Sequence, residues 1–147
     1  MNTLWGLGNP GYVLALVFAA FGSALGTSAA GMAALGAWKK CFLQNRNAPF
    51  ILVAFVGAPL SQTIYGMILM NAIKGAPETV NPLTKFTIGL LGGLAMGLSA
   101  WLQGKAGAMA SDALAETKKG FGNYIMVLGI IETVALFVMV FLMTTLR

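Results

Sequence analysis

The sequence predicts an all-α membrane protein of four transmembrane helices, arranged as two tandem hairpins that assemble into a ring. Three observations carry that prediction: an apolar composition with its charges confined to the gaps between apolar runs, an internal duplication, and stripes of small residues on alternate runs. Of the 147 residues, 58% are hydrophobic and 9% charged, whereas soluble domains carry about a quarter charged residues. A bilayer-spanning helix takes about 20 apolar residues, so a chain of this length with short loops has room for four crossings and no soluble domain beside them.

The first apolar run covers residues 10–36. It follows Met1-Asn2-Thr3, which has no basic region, and it continues too long for a signal peptide, so it is expected to stay in the mature protein. The second covers 48–73 and contains Pro59, whose ring and missing N–H should disturb the preceding turn and loosen carbonyls such as that of Phe55. The third covers 84–110 and the fourth 122–146. The first gap carries Lys39, Lys40 and Arg46 and the third Lys118 and Lys119, against Lys74 and Lys85 around the middle one. Basic residues flank cytoplasmic ends, which places gaps one and three in the cytoplasm and both termini outside, although Arg147 counts against that orientation.

Ser23-Ala24, Ala30-Gly31 and Ala34 recur 76 positions later as Ser99-Ala100, Ala106-Gly107 and Ala110, and placing Gln62 opposite Glu132 aligns runs two and four at an offset of 70. The repeats are residues 1–75 and 76–147. Each enters and leaves on the same side, so they have parallel topology, unlike the inverted repeats of many transporters. Gly22, Gly26, Ala30 and Ala34 in run one, and Gly89, Gly93 and Gly97 in run three, recur every four residues, a spacing that lets backbones approach closely in lipid. Runs two and four are rich in Ile, Leu, Val, Met and Phe and read as lipid-facing. This division suits a ring with the odd runs inside, although the same spacing would also serve a compact monomer.

Glu132 lies near the middle of run four with no basic neighbour in sequence. A charge there costs about 2.5 to 3.5 kcal/mol on insertion scales, and such residues mark ion paths. In run two, Ala58, Ser61, Gln62 and Tyr65 share one helix face. In run three, Gln103 is six residues past Gly97, about 240° around the helix, so it can face the outer helices while the glycines pack inward. A carboxylate, two amides, a hydroxyl and a loosened carbonyl make an all-oxygen set with one negative charge, suited to a monovalent hard cation such as Na+. Either glutamine alone would read as an ordinary interhelical hydrogen bond.

These residues, in Pro59-Leu60-Ser61-Gln62-Thr63-Ile64-Tyr65-Gly66, Gln103-Gly104-Lys105-Ala106 and Ile131-Glu132-Thr133, carry a resemblance over essentially the whole chain. It resembles the duplicated four-helix proteolipid of V-type ATPases, subunit K or c, in its sodium-translocating bacterial branch. The resemblance implies a non-catalytic rotor-ring subunit of a bacterial cell membrane that carries Na+ at Glu132, with Gln103, Gln62, Ser61 and the Ala58 carbonyl as further ligands and Tyr65 closing the site. It also implies a homo-oligomeric ring, a stator membrane subunit that delivers and ejects the ion, and central-stalk subunits at the cytoplasmic loops. Proton-carrying relatives keep the glutamate but usually lack both glutamines, which favours Na+ over H+. Ser61 stands where the family typically has threonine.

Several functions are excluded by composition. The nine basic residues form no stripe for nucleic acid. The single Cys41 allows no intrachain disulfide, and the absence of histidine argues against transition metals. No phosphate-binding loop occurs, so ATP chemistry would belong to partners. The rival readings, a small multidrug or cation exporter and an uncoupled channel-like assembly, fit the parallel repeat less well.

Overall fold

The structure is a computed structural model that describes residues 3–147, with side chains described from residue 10 onward. It consists of helices α1 (Thr3–Leu43), α2 (Val53–Gly57), α3 (Ser61–Lys74), α4 (Pro82–Thr117) and α5 (Phe121–Thr144), with short 3₁₀ turns at Phe50–Leu52 and Ala58–Leu60. Four stretches are long and apolar enough to cross a membrane: Pro10–Leu43, Phe50–Lys74, Pro82–Thr117 and Phe121–Thr144. The described residues contain no strand, so the all-α, four-span fold expected from the sequence is present.

Two helices outrun their apolar segments. α1 has 41 residues and α4 has 36, and at 1.5 Å per residue each exceeds the roughly 30 Å hydrocarbon core. Lys39 and Lys40 therefore ride on the last turns of α1 instead of lying in a loop. Lys40 is tied to α4, its ammonium 2.5 Å from Glu116 and 3.8 Å from Asp112. Both pairs are exposed and contribute little stability. They mark the level at which the end of α1 meets the end of α4.

The same height is kept along the whole pair. A Cβ placed on Gly93 would come within 2.5 Å of the Leu14 carbonyl oxygen, and one on Gly11 within 2.6 Å of the Phe86 Cα. At Gly22 it would collide with the backbone of Gly97, and at Gly104 with that of Gly26. α1 and α4 thus run parallel with backbones in contact, at registers close to the 76-residue repeat. The approach is available only because both stripes lack side chains, and it gains dispersion contacts that lipid cannot supply.

The second span bends where Pro59 stands. The ring cannot accept a full α-turn at its N-terminal side, and the chain passes from α2 through the Ala58–Leu60 3₁₀ turn into α3. Pro59 is buried in a groove that Gly26 leaves open, 3.0 Å from where a Gly26 Cβ would stand. The Phe55 carbonyl packs toward Gly107 of α4, 2.9 Å from the position of a Cβ there. At the turn between α4 and α5, Lys118 (φ 57°) and Gly120 (φ 89°) both adopt the left-handed conformation, which ends α4 and reverses the chain within a few residues.

α5 leaves Met126, Val127, Ile130, Val134, Phe137 and Phe141 exposed, and α3 leaves Ile64 and Met67 exposed. Inner faces close over two apolar clusters, one around Ala15, Ala19, Leu69, Met96 and Ala135, the other around Leu52, Phe55, Leu114 and Leu128. The polar residues discussed next lie between them.

Gly22→Val is expected to force α1 from α4 and lower the unfolding midpoint in detergent by an overpacking cost of about 1–3 kcal/mol. Gly36→Val should leave the midpoint near wild type, because nothing lies within 4 Å of a Cβ there. Circular dichroism during thermal unfolding compares the two, and equal midpoints would contradict this account of the helix pair.

Candidate functional site

Three spans bring their polar side chains to one depth. α3 contributes Ser61, Gln62 and Tyr65 from its first turn and a half, the 3₁₀ turn before it presents the Ala58 carbonyl, α4 contributes Gln103, and α5 contributes Glu132. The regular helix after Ser61 sets Gln62 toward α4 and Tyr65 toward α5.

The network starts at the carboxyl group. The Tyr65 hydroxyl donates to Glu132 Oε1 at 2.7 Å, and Gln103 Nε2 approaches Glu132 Oε2 at 3.3 Å. Gln103 Nε2 also donates to the Leu128 carbonyl, one turn before Glu132, at 3.0 Å. Gln62 Nε2 donates to Gln103 Oε1 at 2.8 Å. Ser61 Oγ lies 3.2 Å from Gln62 Oε1 and 3.1 Å from the Ala58 oxygen. Gln62 and Gln103 are fully buried, so their amides depend on these partners, and an unmade bond there would carry its whole desolvation cost. Glu132 is only half-buried, leaving one side of the carboxyl group toward the surface of the helix bundle.

All five side chains singled out in the sequence, Ser61, Gln62, Tyr65, Gln103 and Glu132, are in one continuous hydrogen-bonded chain, with the Ala58 carbonyl at its end. Gln103 turns away from the glycine stripe toward α5, as its helical position requires. One detail differs from the oxygen set anticipated: Gln103 directs its amide nitrogen to Glu132 and its oxygen to Gln62. Both carboxyl oxygens of Glu132 thus meet donors, Oε1 the Tyr65 hydroxyl and Oε2 the Gln103 amide, and the two ends of a glutamine amide are nearly equal in size.

Two contributors were not anticipated as site residues. The Leu128 carbonyl holds Gln103, and a main-chain oxygen inside an unbroken helix leaves no mark in sequence. Ser99 Oγ donates to the Ile131 carbonyl at 3.0 Å, fixing α5 against α4 beside Glu132. Its signal was available, since Ser99 lies one turn before Gln103 on α4.

A single carboxyl group in the middle of an apolar span, met by neutral donors from two other spans, defines a class of small multi-span membrane proteins with one intramembrane acid. Residues 86–144, which include Gln103 and Glu132, match the family model of the ATP synthase C subunit. The chain is also 32% identical over 131 residues to the A-type ATP synthase subunit K of Methanocaldococcus jannaschii, a match covering 89% of this chain and 57% of that protein. The chain is thus similar to the proteolipid subunits c and K of ATP synthases, in a form with four spans, and it covers little more than half the length of the curated relative it matches. Members of this family are non-catalytic membrane subunits.

Replacing Gln103 with methionine removes the acceptor of Gln62 Nε2 and the donor to both Leu128 and Glu132. A loss of about 1–2 kcal/mol in detergent unfolding is expected. Tyr65→Phe removes one donor and should cost about 1 kcal/mol or less. An equal or larger effect of Tyr65→Phe would show that the amide pair is not the centre of the network.

Proposed function

We propose that the chain is the ion-carrying rotor-ring subunit of a rotary ATPase or ATP synthase and that it binds and carries Na+ at Glu132. The observation that supports this reading best is the convergence of Glu132, Tyr65, Gln103 and Gln62 at one depth. A carboxylate this far inside a span needs its charge balanced whenever it meets lipid, and a monovalent cation balances it without excess.

Glu132, Gln103, Gln62, Ser61 and the Ala58 carbonyl offer five oxygen atoms and one negative charge, a fit to a hard monovalent ion. For Gln103 to contribute its oxygen, its amide and that of Gln62 turn end for end together, exchanging nitrogen for oxygen at little steric cost. Tyr65 then holds one carboxylate oxygen while the other faces the ion. In a ring of identical copies, a stator subunit opens the site to one side of the membrane and then the other, and the neutralised site crosses lipid between them. Central-stalk subunits meet the ends around Lys39-Lys40 and Lys118-Lys119, which lie on the cytoplasmic side of a bacterial cell membrane in this reading. One charge moved through 100 mV is worth about 2.3 kcal/mol, so several ions are coupled to each nucleotide turnover.

The second reading has a proton as the carried ion. A protonated Glu132 would need no ligand set, only a partner for its own O–H.

Labelling of Glu132 by a hydrophobic carbodiimide, which reacts with the protonated carboxyl, separates the two. Na+ at constant pH is expected to slow labelling of the purified protein. Gln62→Leu with Gln103→Leu should abolish that protection while labelling still responds to pH. Wild-type labelling that follows pH alone would make the proton the carried ion. Glu132→Gln should remove both labelling and transport in reconstituted complex.

A further inference from the structure

At the end of the bundle where both hairpins turn, the helices part around a cavity of about 560 Å³, inside the range of about 300–1,000 Å³ typical of small-molecule sites. One wall is Asn47, Pro49 and Ile51, from the entry to the second span. The other is Leu114, Lys118 and Phe121, from the turn between α4 and α5. The fully buried ring of Phe55 backs Phe121, with centroids 5.5 Å apart. Glu132 stands further along α5, about 16 Å beyond Phe121 at 1.5 Å per residue, so the cavity is no part of the site already described.

The rim carries positive charge that the chain does not compensate. This end holds Lys39, Lys40, Arg46, Lys118 and Lys119 against two carboxylates, Asp112 and Glu116. Lys40 takes both carboxylates, and among the described residues the other four bases form no ion pair. Lys118 borders the cavity itself, and Arg46, next to Asn47 in sequence, keeps a buried Nε without a hydrogen-bond partner. α5 starts at this wall with no side-chain cap and no acidic residue in its first turn, which leaves the partial positive charge of its first N–H groups unbalanced. The remaining lining is apolar, and Ile51 is 48% exposed at the opening. A recess that is cationic at its rim and apolar within, at the level where helix ends pass from hydrocarbon to headgroups, is complementary to an acidic lipid.

We propose that this cavity binds one acidic phospholipid of the surrounding membrane, its phosphate paired with Lys118 and the start of its acyl chains against Ile51 and Phe121. A zwitterionic lipid brings its own cation to the rim and gains less there. Because one wall belongs to the first hairpin and the other to the second, the bound lipid joins the two hairpins at this end.

The test is native mass spectrometry of the full-length protein in mild detergent, supplied with equal amounts of phosphatidylglycerol and phosphatidylcholine. At least one phosphatidylglycerol per chain is expected to stay bound after phosphatidylcholine has been stripped. Lys118→Asn removes the charge with a residue that tolerates the left-handed backbone there (φ 57°), and should weaken phosphatidylglycerol retention about fivefold. Ile51→Trp fills the cavity from its exposed side without changing charge and should weaken retention at least as much; if circular dichroism shows it unfolded, Asn47→Phe takes its place. Lys74→Asn, at the other end of the second span, makes the same change in net charge and should retain the lipid as wild type does. Equal retention of both lipids overturns the proposal, as does an equal loss in Lys74→Asn. Lipid lost in Lys118→Asn but kept when the cavity is filled puts the headgroup on the surface alone and overturns the pocket. Displacement by an equal concentration of inorganic phosphate would leave an anion site without a role for acyl chains, overturning the lipid as occupant. Retention of neither lipid, with Lys118 shielded from acetylation only in the assembled complex, gives the recess to a protein partner instead.

Discussion

The whole arrangement depends on keeping a carboxyl group soluble in the middle of a hydrocarbon layer. Glu132 cannot be left to lipid, because at the membrane centre no water substitutes for a missing partner. Two donors reach it, one from α3 and one from α4. Each donor must in turn be held: Gln103 by Leu128 and Gln62, Gln62 by Ser61 at its other end. One ionisable group thereby fixes the depth and rotation of three helices. The desolvation it imposes is met by a chain of neutral hydrogen bonds, without a second charge nearby.

Those three helices can meet only because a fourth gives them room. α1 carries no member of the network, yet it sets the frame. Its glycines bring α4 into backbone contact, and Gly26 opens the pocket for Pro59. Pro59 in turn places the 3₁₀ turn directly before Ser61 and Gln62. Had α1 carried ordinary side chains at Gly22 and Gly26, α4 and the bend in the second span would both be displaced outward, and the amides would lose the separation of 2.8 Å that now joins them. The small residues act on the site through helix spacing, with no polar contact of their own.

Most of this was legible from residue type and spacing. The four spans follow from hydropathy, and helical periodicity puts Ser61, Gln62 and Tyr65 on one face of the second span, while the pairing of Tyr65 with Glu132 was what the family resemblance implied. Other features were illegible for physical reasons. Helix ends are set by tertiary pairing, so Lys39 and Lys40 look like loop residues until Glu116 and Asp112 arrive on α4. A main-chain acceptor such as that of Leu128 is common to every residue and gives no signal. The direction of an amide is decided by its neighbours, so sequence names Gln103 without saying which end meets Glu132. The Phe55 carbonyl packs beside Gly107, a neighbour that only the α4 approach supplies.

Duplication brings a problem of its own, which the position of Gln62 answers. Gln62 is the repeat-equivalent of Glu132, and both join the same network, separated only by Gln103. A faithful copy would put two carboxyl groups within reach of one amide, and like charges at that distance cannot both remain ionised in a medium that screens poorly. With an amide at position 62, the first hairpin keeps a polar group at the right depth but contributes no charge. It becomes a wall of the site on the second hairpin. The same divergence appears in the packing, where glycines at 89, 93 and 97 correspond to Val13, Val17 and Phe21. In both the polar and the apolar layers, the two halves have become complementary parts of one unit, and so a single carboxyl group is served by residues of both hairpins.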